Sequence, residues 1–331
     1  TSDFPTFQPG MRGEPPPLPP TLFRQAGGVT YRIPALLYVP PEDSFLAFAE
    51  KRSSARDEDA KYLHPAADPA LLCPQWGPVE ELSALTLPGR RTMNPCPLYD
   101  ARSGTVFLFC ICVEQCKTER CQIWSGCSAA RLCFATSADG GRGWSALRDV
   151  TDEAIGADLS RWATFAVGPG HGVQLGSGRL VVPAYTYYRR RRQTLAQGGL
   201  LAGEPTGECQ VAEIPGDQQP LLYCSARAPR GWRAVALSSD GGQRLQRWAR
   251  CEALAEPPRG CQGSVVTFTH AGKPPWLLYS HPTDRHHPKG ADPARERCRM
   301  ALSTGTPAPS WCHIWGMERQ DGIGMGWGQT G

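Results

Sequence analysis

The 331 residues carry a formal net charge of +4, too small over that length to suit a nucleic-acid binder. A hydrophobic share of 40% beside 20% charged residues fits a globular chain of one large domain or two ordinary ones. The 32 prolines and 36 glycines speak against a helical protein and for short strands joined by turns.

Residues 1–20, with Pro15-Pro16-Pro17 and Pro19-Pro20, read as a disordered leader. They lack the basic flank and apolar core of a secretory signal. No run reaches the roughly 18–20 apolar residues that a membrane span needs. From Thr30 the pattern turns to strands. Tyr31–Tyr38, the turn residues Pro40-Pro41-Glu42-Asp43 and Phe45–Ala49 predict a hairpin. A strand follows over Thr105–Phe109. Further hairpins are expected at His171–Leu175 with Leu180–Pro183, at Gln210–Glu213 with Leu221–Cys224, and at Val265–Phe268 with Trp276–Tyr279. No segment of useful length carries a 3.6-residue apolar period, so the expected class is all-β.

The 14 cysteines mostly interrupt these apolar runs, as in Phe109-Cys110-Ile111-Cys112-Val113. They read as reduced, buried thiols. Cys110, Cys112, Cys116, Cys121, Cys127 and Cys133 have neither the spacing of zinc knuckles nor a histidine among them, so no metal is expected.

A short segment recurs after hairpins: Ser137-Ala138-Asp139-Gly140-Gly141 leading to Trp144, and Ser238-Ser239-Asp240-Gly241-Gly242 leading to Trp248. A degenerate third runs from Ser303-Thr304-Gly305 to Trp311. One such turn is an ordinary Asp-Gly hairpin, with Asp capping amides and Gly supplying positive φ. Its repetition points to a propeller, and at roughly 40–45 residues per blade the length holds six or seven.

These segments resemble the Asp box of sialidases, and Tyr31-Arg32-Ile33-Pro34 resembles their N-terminal Arg-Ile-Pro motif. Leu46–Arg52, Arg91–Pro97, Trp162–Gly172, Glu208–Glu213 and Gly260–Ser264 extend the match. The chain thus resembles the vertebrate cytosolic and plasma-membrane exo-sialidases over residues 22–285. Leu22-Phe23-Arg24-Gln25, Tyr185–Tyr188 and Tyr223–Arg227 look most like the family's ganglioside-cleaving, plasma-membrane branch. The resemblance implies a six-bladed β-propeller over residues 21–311, incomplete at its last blade, with 312–331 a non-homologous tail.

It also implies a set of site residues. Bidentate arginines suit the planar carboxylate of a terminal sialic acid. Arg32 and Arg227 match two members of the family's arginine triad; for the third, Arg297 is the candidate, with Arg299 and Arg295 as alternatives. Arg52 assists. Asp57, in a stretch that otherwise reads as a solvated charged loop, matches the proton donor. Glu208 matches the glutamate that takes a proton from a tyrosine nucleophile. Asn94, Glu119, Gln262, Tyr185 and Tyr187 match the pocket for the N-acetyl, ring and glycerol groups, although Tyr185 reads equally well as a core residue. No cofactor is implied. The implied partners are sialylated glycolipids and glycans, with peripheral contact at the plasma membrane or a cytoplasmic location. In Arg189–Arg192 a lipid-facing patch competes with a plain solvated loop.

The chain departs from the family at three places. Lys61–Ala67 stands where the family has an arginine-containing strand, and an Asp-box strand is missing between Tyr188 and Glu208. The family's nucleophilic tyrosine lies in a Tyr-Ser-Asp-Leu segment near the C-terminus, whereas here no tyrosine follows Tyr279 and the stretch after Trp311 shows no strand pattern. The expected activity is therefore an exo-α-sialidase, with a sialoglycan-binding propeller that lacks the nucleophile as the alternative.

Overall fold

The computed structural model describes residues 22–24, 26–68, 76–189, 206–216, 219–229, 231–257, 260–269, 275–282, 299–305, 311–319 and 325–328. For 68, 247, 248, 255 and all positions from 299 onward it describes the backbone alone. The described residues form antiparallel sheets whose strands mostly follow one another in sequence.

The first sheet comprises β1 (Thr30–Val39), β2 (Ser44–Arg52) and β3 (Ala60–Asp68), in that order. The turn between β1 and β2 is a 3-10 turn over Pro40–Glu42, and Asp43 closes it at φ 47°. Lys61–Ala67, which departs from the family pattern, lies within β3. The second sheet is β4 (Arg90–Asp100), β5 (Thr105–Glu114), β6 (Ala130–Ser137) and β7 (Arg148–Asp149). Helix α1 (Glu119–Ser125) joins β5 to β6, and α2 (Thr151–Ala154) follows β7. At seven and four residues the two helices are too short to show periodicity, so the sequence gives no sign of them.

Next, β8 (Trp162–Val167) pairs with β11 (Ala184–Tyr188), and β9 (Val173–Gln174) pairs with β10 (Leu180–Val181). The fourth group is β12 (Cys209–Ile214), β13 (Leu221–Ala226), β14 (Trp232–Ser238) and β15 (Gln246–Ala255). The last is β16 (Ser264–Phe268), β17 (Trp276–Pro282), β18 (Arg299–Gly305), β19 (Trp311–Arg319) and β20 (Met325–Gly328). The backbone after Trp311, patternless as sequence, thus adds two strands to an existing sheet. Among the described residues no sheet closes on itself; what is seen is an all-β arrangement of separate sheets.

Apolar residues that alternate along the strands meet between sheets. Leu46, Phe48 and Leu63 of the first sheet pack with Val106, Leu108 and Cys133 of the second. Cys110 faces Cys133 across the β5–β6 ladder, and both are fully buried. There they behave as small hydrophobes. Cys116 and Cys127 are exposed instead.

The two Asp-box turns are near copies. Ser137 Oγ donates to Asp139 Oδ1 at 2.7 Å, as Ser238 Oγ does to Asp240 Oδ1. Each aspartate then accepts the amide four residues on, Gly143 at 2.8 Å and Arg244 at 2.9 Å. Gly140 and Gly141 stand at φ 69° and 94°, and Gly241 and Gly242 at 68° and 88°. Only glycine enters that region without strain. Trp144 anchors its turn edge-on against Phe48 of the neighbouring sheet, with ring centroids 6.0 Å apart. The corresponding Trp248 side chain and residues 306–310 of the third segment lie outside the described residues.

Candidate functional site

One cavity of about 1200 Å³ takes lining residues from every group of strands. Arg32, Arg52, Asp57, Asn94 and Glu119 reach it from the first half of the chain. Tyr185, Tyr187, Glu208, Arg227 and Gln262 reach it from the second. Arg297 and Arg295 lie outside the described residues, and Arg299 is described only as the first position of β18.

Local backbone irregularity aims the first set. The β1–β2 register slips between Arg32 and Ala35, and Ile33 within the slip has φ 55°. The β4–β5 register slips between Met93 and Cys96, and Asn94 within it has φ 56°. A bulge lets one strand turn a side chain out of its alternation. A left-handed residue with a side chain costs on the order of 1–3 kcal/mol, which the surrounding structure must supply. For β-branched Ile33 the conformation is especially unfavourable.

Charge joins these two bulges. Glu50, fully buried opposite Arg32 in the ladder, accepts the Asn94 amide at Oε1 (2.7 Å) and Arg52 Nε at Oε2 (3.0 Å). Burial pushes the Glu50 carboxyl up, while Arg52 and the Asn94 amide pull against the rise. Arg52 reaches onward to pair with Asp57, whose side chain is 61% exposed on a 3-10 turn over Asp57–Asp59. The three groups therefore run from sealed interior to open solvent within eight residues.

Glu119 is the first residue of α1. Thr118 caps that helix by accepting the Cys121 amide at 3.0 Å. Behind the loop, buried Arg91 donates to the carbonyls of Glu114 (2.8 Å) and Lys117 (2.6 Å). Glu119 Oε2 accepts the Tyr185 hydroxyl at 3.0 Å, so Tyr185 belongs to the cavity wall rather than to the core alone. Glu119 is open to cavity water by surface area yet ringed by protein. Burial, then the charges of Glu208 and Asp57, lift its carboxyl above the usual range against the Tyr185 bond. Burial likewise raises the phenols of Tyr185 and Tyr187.

The opposite wall is built by register. Cys209 pairs with Ala226 in the β12–β13 ladder, so Glu208 and Arg227 meet at its open end. The Arg227 amide bonds the Glu208 carbonyl at 2.9 Å, and their side chains pair at 2.7 Å. Gln262 Nε2 donates to the Pro169 carbonyl at 2.8 Å. Fully buried Gln210 donates to the same carbonyl at 3.0 Å and fixes the 168–171 turn. Sequence reading passed over Glu50, Arg91, Gln210, Arg233 and Glu256 as site supports. For Glu50, Arg91, Gln210 and Arg233 the available signal was a polar residue within a strand; Glu256, one position past β15, carried none.

The arrangement offers cations for a carboxylate, an exposed acid on one side and an ion-paired carboxylate on the other. The BNR repeat-like domain family matches residues 45–327. Sialidase-3 of Homo sapiens is 50% identical over 319 residues, covering 88% of this chain and 74% of its own length. Sialidase-4 of Mus musculus is 46% identical over 268 residues, covering 74% of this chain and 55% of its own length. Among solved structures, the Hadza microbial sialidase Hz136 superposes with a TM-score of 0.64 at 19% identity, covering 87% of this chain and 58% of that one. At that identity the likeness speaks to fold, which is all-β and sialidase-type.

Proposed function

This chain belongs to the vertebrate sialidase family, and we propose that it is an exo-α-sialidase that removes terminal sialic acid from glycolipids, gangliosides above all, and from other glycans. One observation carries the reading: Arg32, Asp57, Glu208 and Arg227, the residues that the motifs single out, all stand on the wall of the same cavity.

In this reading Arg32 and Arg227 grip the sugar carboxylate by charge-assisted, fork-shaped hydrogen bonds, with Arg297, or else Arg299 or Arg295, as the third arginine and Arg52 in support. Asp57 gives its proton to the leaving oxygen. Glu208 matches the base that in the family takes the proton of an attacking phenol, whose neutral oxygen meets the anionic sugar without charge repulsion; the family carries that phenol in a Tyr-Ser-Asp-Leu segment that residues 280–331 do not contain. Asn94, Glu119, Gln262, Tyr185 and Tyr187 form the pocket for the N-acetyl, ring and glycerol groups. No cofactor or metal enters. The fold we assign is a six-bladed propeller with this cavity at one end of its channel. Among the described residues no helix is long and apolar enough to cross a membrane; for ganglioside substrates we propose peripheral contact with the plasma membrane.

The test measures free sialic acid released from a ganglioside and from a fluorogenic sialoside, alongside calorimetric binding of 2-deoxy-2,3-dehydro-N-acetylneuraminic acid. Binding that disappears in Arg227→Ala is the expected result. A folded chain that neither binds the analogue nor releases sialic acid defeats the proposal.

A further inference from the structure

Two of the proposed sugar ligands, Arg227 and Gln262, sit 35 residues apart, one directly after β13 and the other shortly before β16, and behind them lies an ion pair that the chemistry above does not use. Arg233 and Glu256 pair at 2.9 Å with both side chains fully sealed from solvent. The guanidinium Nε donates to Ser225 Oγ at 3.1 Å and Nη2 to the Ser225 carbonyl at 3.3 Å, two residues before Arg227. Nη1 also donates to the Cys261 carbonyl at 2.5 Å, while Glu256 Oε2 accepts the Cys261 amide at 3.0 Å. Both ends of Cys261, the neighbour of Gln262, are therefore held. The same guanidinium lies 5.3 Å from the centre of the Tyr279 ring on β17.

We infer that the Arg233–Glu256 pair is a positioning clamp that fixes Arg227 and Gln262 relative to each other, so that the carboxylate and another part of one sugar are met together. A buried ion pair adds little stability compared with well-packed apolar residues of similar volume. This pair spends its hydrogen bonds instead on the two backbone positions next to the ligands. Gly260 shows how closely the parts are fitted. At φ +67° it leaves no room for a Cβ, which would stand 2.5 Å from the Ala228 carbonyl, 2.8 Å from Arg227 Cγ and 2.8 Å from Glu256 Oε2. The inference rests on the reading of Arg227 and Gln262 as sugar ligands.

The experiment replaces both charges at once, Arg233→Met with Glu256→Leu, and measures melting temperature and calorimetric affinity for the 2,3-dehydrated analogue. The expected result is a parent-like melting temperature with affinity lowered about 10- to 100-fold, the scale of a small misplacement of binding groups. Adding Gln262→Ala then costs little more, since its geometry is already lost; fully additive losses overturn the clamp. Parent-like affinity in the folded double variant overturns it too. Should the double variant fail to fold, Gly260→Ala crowds Arg227 while leaving both charges in place. About tenfold weaker binding supports the clamp, and unchanged affinity defeats it. Arg227→Ala separates the two readings. If it binds like the parent, the pocket assignment itself fails; if it alone loses binding, only the clamp does.

Discussion

The two walls of the cavity handle charge in opposite ways. On the first, Glu50, Arg52 and Asp57 form a graded series whose last member stands 61% exposed. On the second, Glu208 and Arg227 pair at the end of a ladder with only 14% and 31% of their side chains open, and a sealed ion pair stands behind them. A group that must give up a proton and regain it from water benefits from the first setting. A group that must hold a ligand still benefits from the second. The proposed acid Asp57 thus stands where proton exchange is easy and the proposed ligand Arg227 where a side chain is held, and variants at these two residues are expected to separate accordingly.

The largest effect concerns a part that neither wall supplies. Residues 280–331 contain no tyrosine. Exchanging the residues after 311 for a family segment carrying Tyr-Ser-Asp-Leu is therefore expected to raise the rate on a fluorogenic sialoside by roughly 10³-fold or more, the scale of a missing nucleophile. Equal rates for the two chains would show that the deficit is imaginary. Next comes the gripping wall. Truncating a desolvated charge partner costs about 2–5 kcal/mol, so Arg227→Ala should lose most analogue binding, while Arg192→Ala leaves the calorimetric affinity where it was. On the graded wall, Asp57→Asn should lower kcat on a sialyl-lactoside about 10²-fold, the low end of general-acid contributions. It should do much less to an aryl sialoside, whose leaving group needs no proton. A large loss of analogue affinity in Asp57→Asn would instead make this residue part of the grip. The smallest effect sits between the walls. Glu119 is raised by burial, so the folded chain favours its protonated form. Stability is then fully present below the ordinary glutamate value of 4.5 and lost as pH rises through the higher folded value. Solvent in the cavity tempers the loss. Glu119→Gln should therefore melt slightly above the parent at neutral pH and level with it near pH 4. A difference that persists at pH 4 would point to packing rather than titration.

The strands and much of the cavity were legible in the sequence for separate reasons. Turn chemistry marked the hairpins at Pro40–Asp43 and at the Asp boxes, because Gly and Asp there satisfy local backbone needs that no distant contact can override. The cavity residues were legible only through motifs. Nothing in the alternation of β1 tells that Arg32 lines the cavity, where the register slips directly after it. Arg233 was illegible for a related reason. An arginine in a strand reads as a solvent-facing group, and its burial depends on Glu256, 23 positions further on, and on a register slip between Trp232 and Arg233. The position of Glu119 hangs on a seven-residue helix and on Arg91 behind it, below the length at which periodicity speaks. From Trp311 onward β19 pairs with β18 and β20 with β19, with no pattern of their own to announce it.

The left-handed backbone at Ile33 has a consequence for anyone who evolves this protein in the laboratory. A selection for heat resistance would be drawn to that position early, because Asn or Gly adopts φ 55° far more readily than isoleucine does. Relief of such strain is worth on the order of 1 kcal/mol or more. The expected cost falls on the neighbouring Arg32, which lines the cavity beside the register slip, and the trade is a familiar one between durability and function. Ile33→Asn should therefore melt higher and bind the dehydrated sugar more weakly. A variant that gained heat resistance with its affinity intact would show that the strain at Ile33 serves no purpose in the pocket.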